Sequence, residues 1–101
     1  MIIFNTTYHA SNSIKESFIN WLKEIYIPTA LHHEGLSTPQ LCRIMTENED
    51  QGESYSLQFH VKDTDILSHW YAETGEDLAC ALTQKFNNQV VGFTTLLEII
   101  E

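Results

Sequence analysis

The chain has 101 residues, of which 43% are hydrophobic and 19% charged. That composition excludes a disordered chain and suits one folded domain spanning residues 1–101. A domain of this size buries only about two-thirds of its unfolded surface, so packing against a second copy would add stability. Five Lys and Arg against fourteen Asp and Glu leave a formal charge of −9, a field that repels phosphate backbones and anionic lipid. We therefore expect neither nucleic acid nor a membrane as partner.

Ile2, Phe4, Thr6 and Tyr8 alternate with Ile3, Asn5, Thr7 and His9, and the β-branched and aromatic content predicts a strand. Ser11-Asn12-Ser13 stops it, and Ser13 with Glu16 makes an S-x-x-E capping box, predicting a helix from near Ile14. Ile14, Phe18, Trp21, Leu22 and Ile25 recur at three- and four-residue steps as its buried side. Pro28 is predicted to end or kink it, with another turn or two through Glu34 and a left-handed exit at Gly35.

A second strand is predicted from about Gln40 to Thr46. The acidic stretch Glu47, Glu49, Asp50, Glu53 follows as a solvated hairpin tip. The next strand alternates cleanly, Tyr55, Leu57, Phe59 and Val61 against Ser54, Ser56, Gln58 and His60. Asp63 or Thr64 caps a second helix carrying Ile66, Leu67, Trp70 and Tyr71, which Gly75 is expected to interrupt before Leu78, Ala81, Leu82 and Phe86. Asn87-Asn88 breaks the chain again, and Val90 to Ile100 reads as a last strand that is apolar on both faces.

The order β-α-β-β-α-β predicts an α+β, ferredoxin-like sandwich: a four-stranded antiparallel sheet with two helices on one face. The helices leave the other face open, where the last strand still presents Val or Leu groups. A homodimer joined through the open faces is therefore expected, with Phe93 and Leu97 in its interface. Cys42 and Cys80 show neither C-x-x-C nor zinc spacing and are expected to be buried thiols. The opening residues lack a signal-peptide pattern, and no stretch reaches the roughly 18 apolar residues of a membrane span. A reducing cytoplasm is the expected location.

The segments MIIFNTT, WLKEIYIP, YSLQF and FTTLLE resemble the small bacterial family known as domain of unknown function 4286, over nearly the whole chain. The resemblance implies a dimeric α/β barrel, the assembly of antibiotic-biosynthesis-type monooxygenases, haem-degrading enzymes and several cofactor-free catalysts. The family itself carries no assigned activity.

In such a barrel Asn5, Thr7 and His9 would share the open face with Ser56, Gln58 and His60 and line a cavity between subunits. Asn5, Thr7, Gln58 and the sole arginine, Arg43, are candidate ligand-binding residues; Arg43 could equally pair with a neighbouring Glu. His60 and His9 are candidate general bases. The haem-degrading members use an Asn, a Trp and a helix-borne His, inviting comparison with Asn5, Trp70 and His69. Adjacent helical residues point about 100° apart, so His69 and Trp70 would not share a pocket, and no cofactor is expected. His32-His33-Glu34 lacks the i,i+4 spacing of a metal site, and the acidic turn lacks EF-hand positions. Nucleophile elbow, P-loop and dinucleotide fingerprint are all missing from the sequence.

Two functions stand on this basis. The first is a homodimeric ligand-binding or interaction module with a barrel cavity between its sheets. The alternative is a cofactor-independent monooxygenase or isomerase acting on a small aromatic or polyketide-like compound, with His60 or His9 as base.

Overall fold

The computed structural model describes residues 1–45 and 51–101. Strand β1 (Ile2–Ala10) leads into helix α1, residues 15–32. Strands β2 (Leu36–Arg43) and β3 (Glu53–Val61) form a hairpin, followed by helix α2, residues 64–86, and strand β4 (Val90–Glu98). The sheet order is β2-β3-β1-β4, every neighbouring pair antiparallel, which is the expected ferredoxin-like topology.

Both helices run through the residues expected to break them. In α1 a π-helical turn, Leu22–Tyr26, joins Lys15–Trp21 to Ile27–His32; in α2 the turn Tyr71–Gly75 joins Thr64–Trp70 to Glu76–Phe86. The cause lies in the spacing of the buried residues. Phe18, Leu22, Tyr26 and Ala30 face inward in α1, as do Trp70, Thr74, Leu78 and Phe86 in α2. Four-residue steps drift about 40° per step around a helix of 3.6 residues per turn, and a wider π turn restores the phase. Pro28 then sits in the first turn after the π segment, where its missing N–H costs little. Ile25, expected in the core, is 49% exposed because Tyr26 occupies the inward position.

Gly75 continues α2 because space demands it: a Cβ there would meet Trp70 Cζ3 at 2.7 Å and Tyr71 Cδ2 at 2.6 Å. Asp63 caps this helix as expected, accepting from the Ile66 N–H at 2.9 Å. The Ser13 capping box does not form. Helix α1 starts at Lys15 with no side-chain cap, and the Ser13 hydroxyl instead meets Ser11 Oγ at 3.3 Å and accepts from Gln89 Nε2 at 3.4 Å.

Strand β2 begins four residues earlier than expected. Ser37-Thr38-Pro39 reads as loop, but β2 is an edge strand, where proline is tolerated, and the register shift between Ser37 and Gln40 with Thr38 at φ +51° absorbs the irregularity. Thr46, Glu47, Glu49 and Asp50 lie outside the described residues. Glu53 is not part of a solvated tip: it opens β3 and is paired. Strand β4 stops at Glu98, leaving Ile100 exposed. Both cysteines are exposed, not buried, because Cys42 lies on an edge strand and Cys80 on the outer side of α2.

The core is aromatic and lies between the helices and one sheet face. Phe18 meets Tyr8 and Phe86 edge-on at 5.1 and 5.5 Å, and Phe4 meets Trp70 at 5.6 Å. Trp70 Nε1 donates to the Ala30 carbonyl at 3.0 Å and so ties α2 to α1. Among the described residues, no helix is long and apolar enough to cross a membrane.

Candidate functional site

Period-two alternation splits the sheet residues between two faces. On the open face, Ile3, Asn5, Thr7 and His9 of β1 lie between Leu97, Thr95, Phe93 and Val91 of β4 and His60, Gln58, Ser56 and Ser54 of β3. Phe93 is 65% exposed, Val91 59% and Leu97 43%. The polar groups between them are largely occupied with one another. Ser56 Oγ donates to Asn5 Oδ1, Asn5 Nδ2 donates to Thr7 Oγ1 at 3.2 Å, and Gln58 Nε2 donates to Ser56 Oγ at 3.5 Å.

His9 bonds through both ring nitrogens, Nε2 to the Gln51 carbonyl and Nδ1 to Ser54 Oγ, each at 3.0 Å. A carbonyl only accepts, so Nε2 donates to Gln51, and Nδ1 is taken up by Ser54. His60 lies half-buried on the same face, opposite Ile3. Arg43 does not join this group. It pairs in register with Tyr55, on the other side of the sheet, and its Nε lies 3.0 Å from Glu53 Oε1, which also accepts from the Tyr55 hydroxyl. The Tyr55 hydrogen bond, helped by Arg43, holds the Glu53 carboxyl below its ordinary range, while Glu53 raises Arg43 further.

The helix-facing side contains a second constellation. A cleft of about 280 Å³ opens between α2 and strands β1 and β4, with Thr6, Tyr8, Tyr26, Tyr71, Thr83 and Gly92 among its lining. An adjoining cavity of about 410 Å³ is lined by Leu67, Ala72, Leu96 and Glu76, and both share Phe4, Tyr71 and Thr94. Each element contributes for a local reason. The π turn of α1 brings Tyr26 inward, and the π turn of α2 begins with Tyr71 and closes with Gly75. Gly92 leaves room for the Tyr8 ring, since a Cβ there would lie 2.8 Å from Tyr8 Cδ1.

Burial pushes the Tyr8 phenol up, against the opposing pull of the Tyr26 and Thr6 hydroxyls. Burial pushes Tyr26 up as well, and the neighbouring Tyr8 acts in the same direction. The two hydroxyls hydrogen-bond each other and form a linked polar pair in the wall of the cleft. No His or Cys lines it.

The haem comparison meets a geometric obstacle. Trp70 is 2% exposed, Asn5 faces the opposite side of the sheet, and His69 lies exposed beside a cavity shared with His33 and Glu73. The three do not converge, so these residues do not fit a haem. His33 Nδ1 stands 3.7 Å from Glu73 Oε2, both exposed, and among the described residues no group of three metal-capable side chains forms.

The family described as a domain of unknown function, DUF4286, matches residues 1–100. The chain belongs to this family. No curated protein matches the sequence. Among solved structures, the DUF4286 chain is similar to a dimeric ferredoxin-like protein from an uncultured marine organism, at 13% identity and TM-score 0.76, covering 99% of this chain and 95% of that one. It is also similar to a protein from Deinococcus radiodurans, named as a candidate antibiotic biosynthesis monooxygenase, at 20% identity, TM-score 0.71 and coverage of 100% and 94%. A variant of MhuD with two manganese protoporphyrin IX bound per active site matches at 13% identity, TM-score 0.69 and coverage of 100% and 96%. At these identities the likeness is one of fold.

The DUF4286 chain's open-face residues were readable from alternation, whereas the tyrosine cleft was not. Tyr8, Tyr26 and Tyr71 come from three elements, and the expected buried side of α1 included Ile25 in place of Tyr26. The available signal was the four-residue spacing Phe18, Leu22, Tyr26, Ala30, which places Tyr26 inward.

Proposed function

We propose that this protein is a homodimer that binds a small molecule in the cleft between α2 and strands β1 and β4. The observation that carries the reading is the hydrogen-bonded pair of buried phenols, Tyr8 and Tyr26, in a cleft whose remaining wall mixes threonines with aromatic and aliphatic side chains. A few polar groups converging in an apolar concavity are the usual form of a small-molecule site.

The dimer forms through the open face. Phe93, Val91 and Leu97 leave apolar side chains exposed beside β1, interrupted by Thr95, that water would otherwise cover, and similar solved structures are described as dimeric. Pairing the sheets face to face, as in an α/β barrel, encloses Asn5, Thr7, Gln58, His9 and His60 between protomers. Arg43 stays outside, with Glu53. The two exposed free thiols suit a reducing bacterial cytoplasm, and residues 1–101 act as one unit.

The alternative, a cofactor-independent monooxygenase or isomerase, draws support from the monooxygenase name of a similar structure. Its base would be His60 or His9, so its chemistry would lie between the two sheets and away from the tyrosine cleft. Native mass spectrometry of the purified protein tests the main reading. The expected spectrum is a dimer carrying an additional small mass per subunit. A monomer overturns the dimer, and a dimer that stays empty in the presence of a broad small-molecule panel overturns the binding site.

A further inference from the structure

The two cavities beside α2 differ in chemistry and share a wall. At one end Tyr8, Tyr26, Thr6 and Thr83 line the space; at the other, Leu67 and Leu96 do. Phe4, Tyr71 and Thr94 border both, so the polar and apolar spaces lie side by side. We propose that the two spaces together take an uncharged amphipathic molecule, a long-chain alcohol or alkyl ketone, with its oxygen against Tyr8 and Tyr26 and its hydrocarbon chain passing Tyr71 to lie along Leu67 and Leu96. This assignment rests on the small-molecule reading of the cleft and names its ligand class.

Charge selects the class. Among the described residues no Lys, Arg or His lines either cavity, so a carboxylate or phosphate head would be desolvated without a counter-charge, which is costly. The formal charge of −9 adds long-range repulsion against any anion. An ammonium head fits no better, because among the described residues the one carboxylate lining either space, Glu76, borders the apolar end and not the phenols. A neutral hydroxyl or carbonyl loses little on entry and regains a hydrogen bond at the Tyr8–Tyr26 hydroxyl pair. The hydrocarbon end gains by leaving water for the Leu67–Leu96 wall.

The test titrates 1-decanol, decanoate and decylamine into the full chain, reading backbone amide shifts by NMR at Gly75 and Gly92. Decanol is expected to give saturable shifts at both glycines, with decanoate weaker by at least about tenfold. Tyr26→Phe should weaken decanol about fivefold by breaking up the Tyr8–Tyr26 hydroxyl pair. Leu96→Asp places a charge at the apolar end on a side chain already 48% exposed, so the fold tolerates it while decanol affinity falls. Decanoate or decylamine binding as tightly as decanol at the same glycines overturns the ligand class and leaves the cleft reading standing. No saturable shift with any probe overturns both.

Discussion

Glu53 closes the outer end of the β2–β3 hairpin, because one of its oxygens takes both the Tyr55 hydroxyl and Arg43 Nε. Its carboxyl titrates below the ordinary 4.5, chiefly through the Tyr55 bond. A group with a lowered folded pKa stabilises fully above its unfolded pKa and loses that contribution as pH falls through the folded value. Wild type is therefore expected to melt above Glu53→Gln at pH 7, with the gap closing below about pH 4. A pH-independent gap in the two thermal melts would refute the contribution. Gly92 makes a second prediction at this scale. Gly92→Ala drives a Cβ into Tyr8, at 2.8 Å, and overpacking of this kind costs about 1–3 kcal/mol, measurable by urea denaturation. The pairing of Arg43 with a nearby glutamate was legible from the sequence, but its partner was hidden inside a run of acidic residues that read as one turn.

At the scale of elements, strand alternation carried most of the information and helix punctuation misled. Strands β1 and β3 fall where period two places them, since each has one face on the core. Pro28 and Gly75 read as breaks because local propensity does not register a π turn. The widened turn follows instead from four-residue spacing, a property of the whole helix and its packing against the sheet. The same spacing explains the buried Thr74. It occupies an inward position in the α2 row, 4% exposed, and its Oγ1 has no hydrogen-bond partner. An unpaired buried hydroxyl is destabilising, whereas an apolar group of the same shape is not. Thr74→Val is accordingly expected to raise stability by about 1 kcal/mol, read as a higher urea midpoint at an unchanged slope. A lower midpoint would mean that the hydroxyl is satisfied by an internal water.

For the whole molecule, the strand order and the open apolar face were legible because β4 is apolar on both sides. The cleft was not, since it exists only where α1, α2, β1 and β4 meet. Phe93 is the sharpest test of how the copies associate. At 65% exposure on the open face it contributes little to the monomer's own core, so Phe93→Asp should keep native circular dichroism. Across a face-to-face interface it would bury a charge against a partner that is itself negative, at a cost of several kcal/mol. Size-exclusion chromatography with light scattering should then report a folded monomer, and Leu97→Asp should do the same. Two chains of −9 also repel each other as they approach, and salt screens that repulsion beyond about 8 Å at physiological ionic strength. Wild-type dimer should tighten as salt rises, because apolar contact holds it and net charge opposes it. If both variants remain dimeric, the copies join through a sheet edge; β4 would then be the edge to examine, since β2 carries Pro39 and a register shift while β4 has neither proline nor lysine.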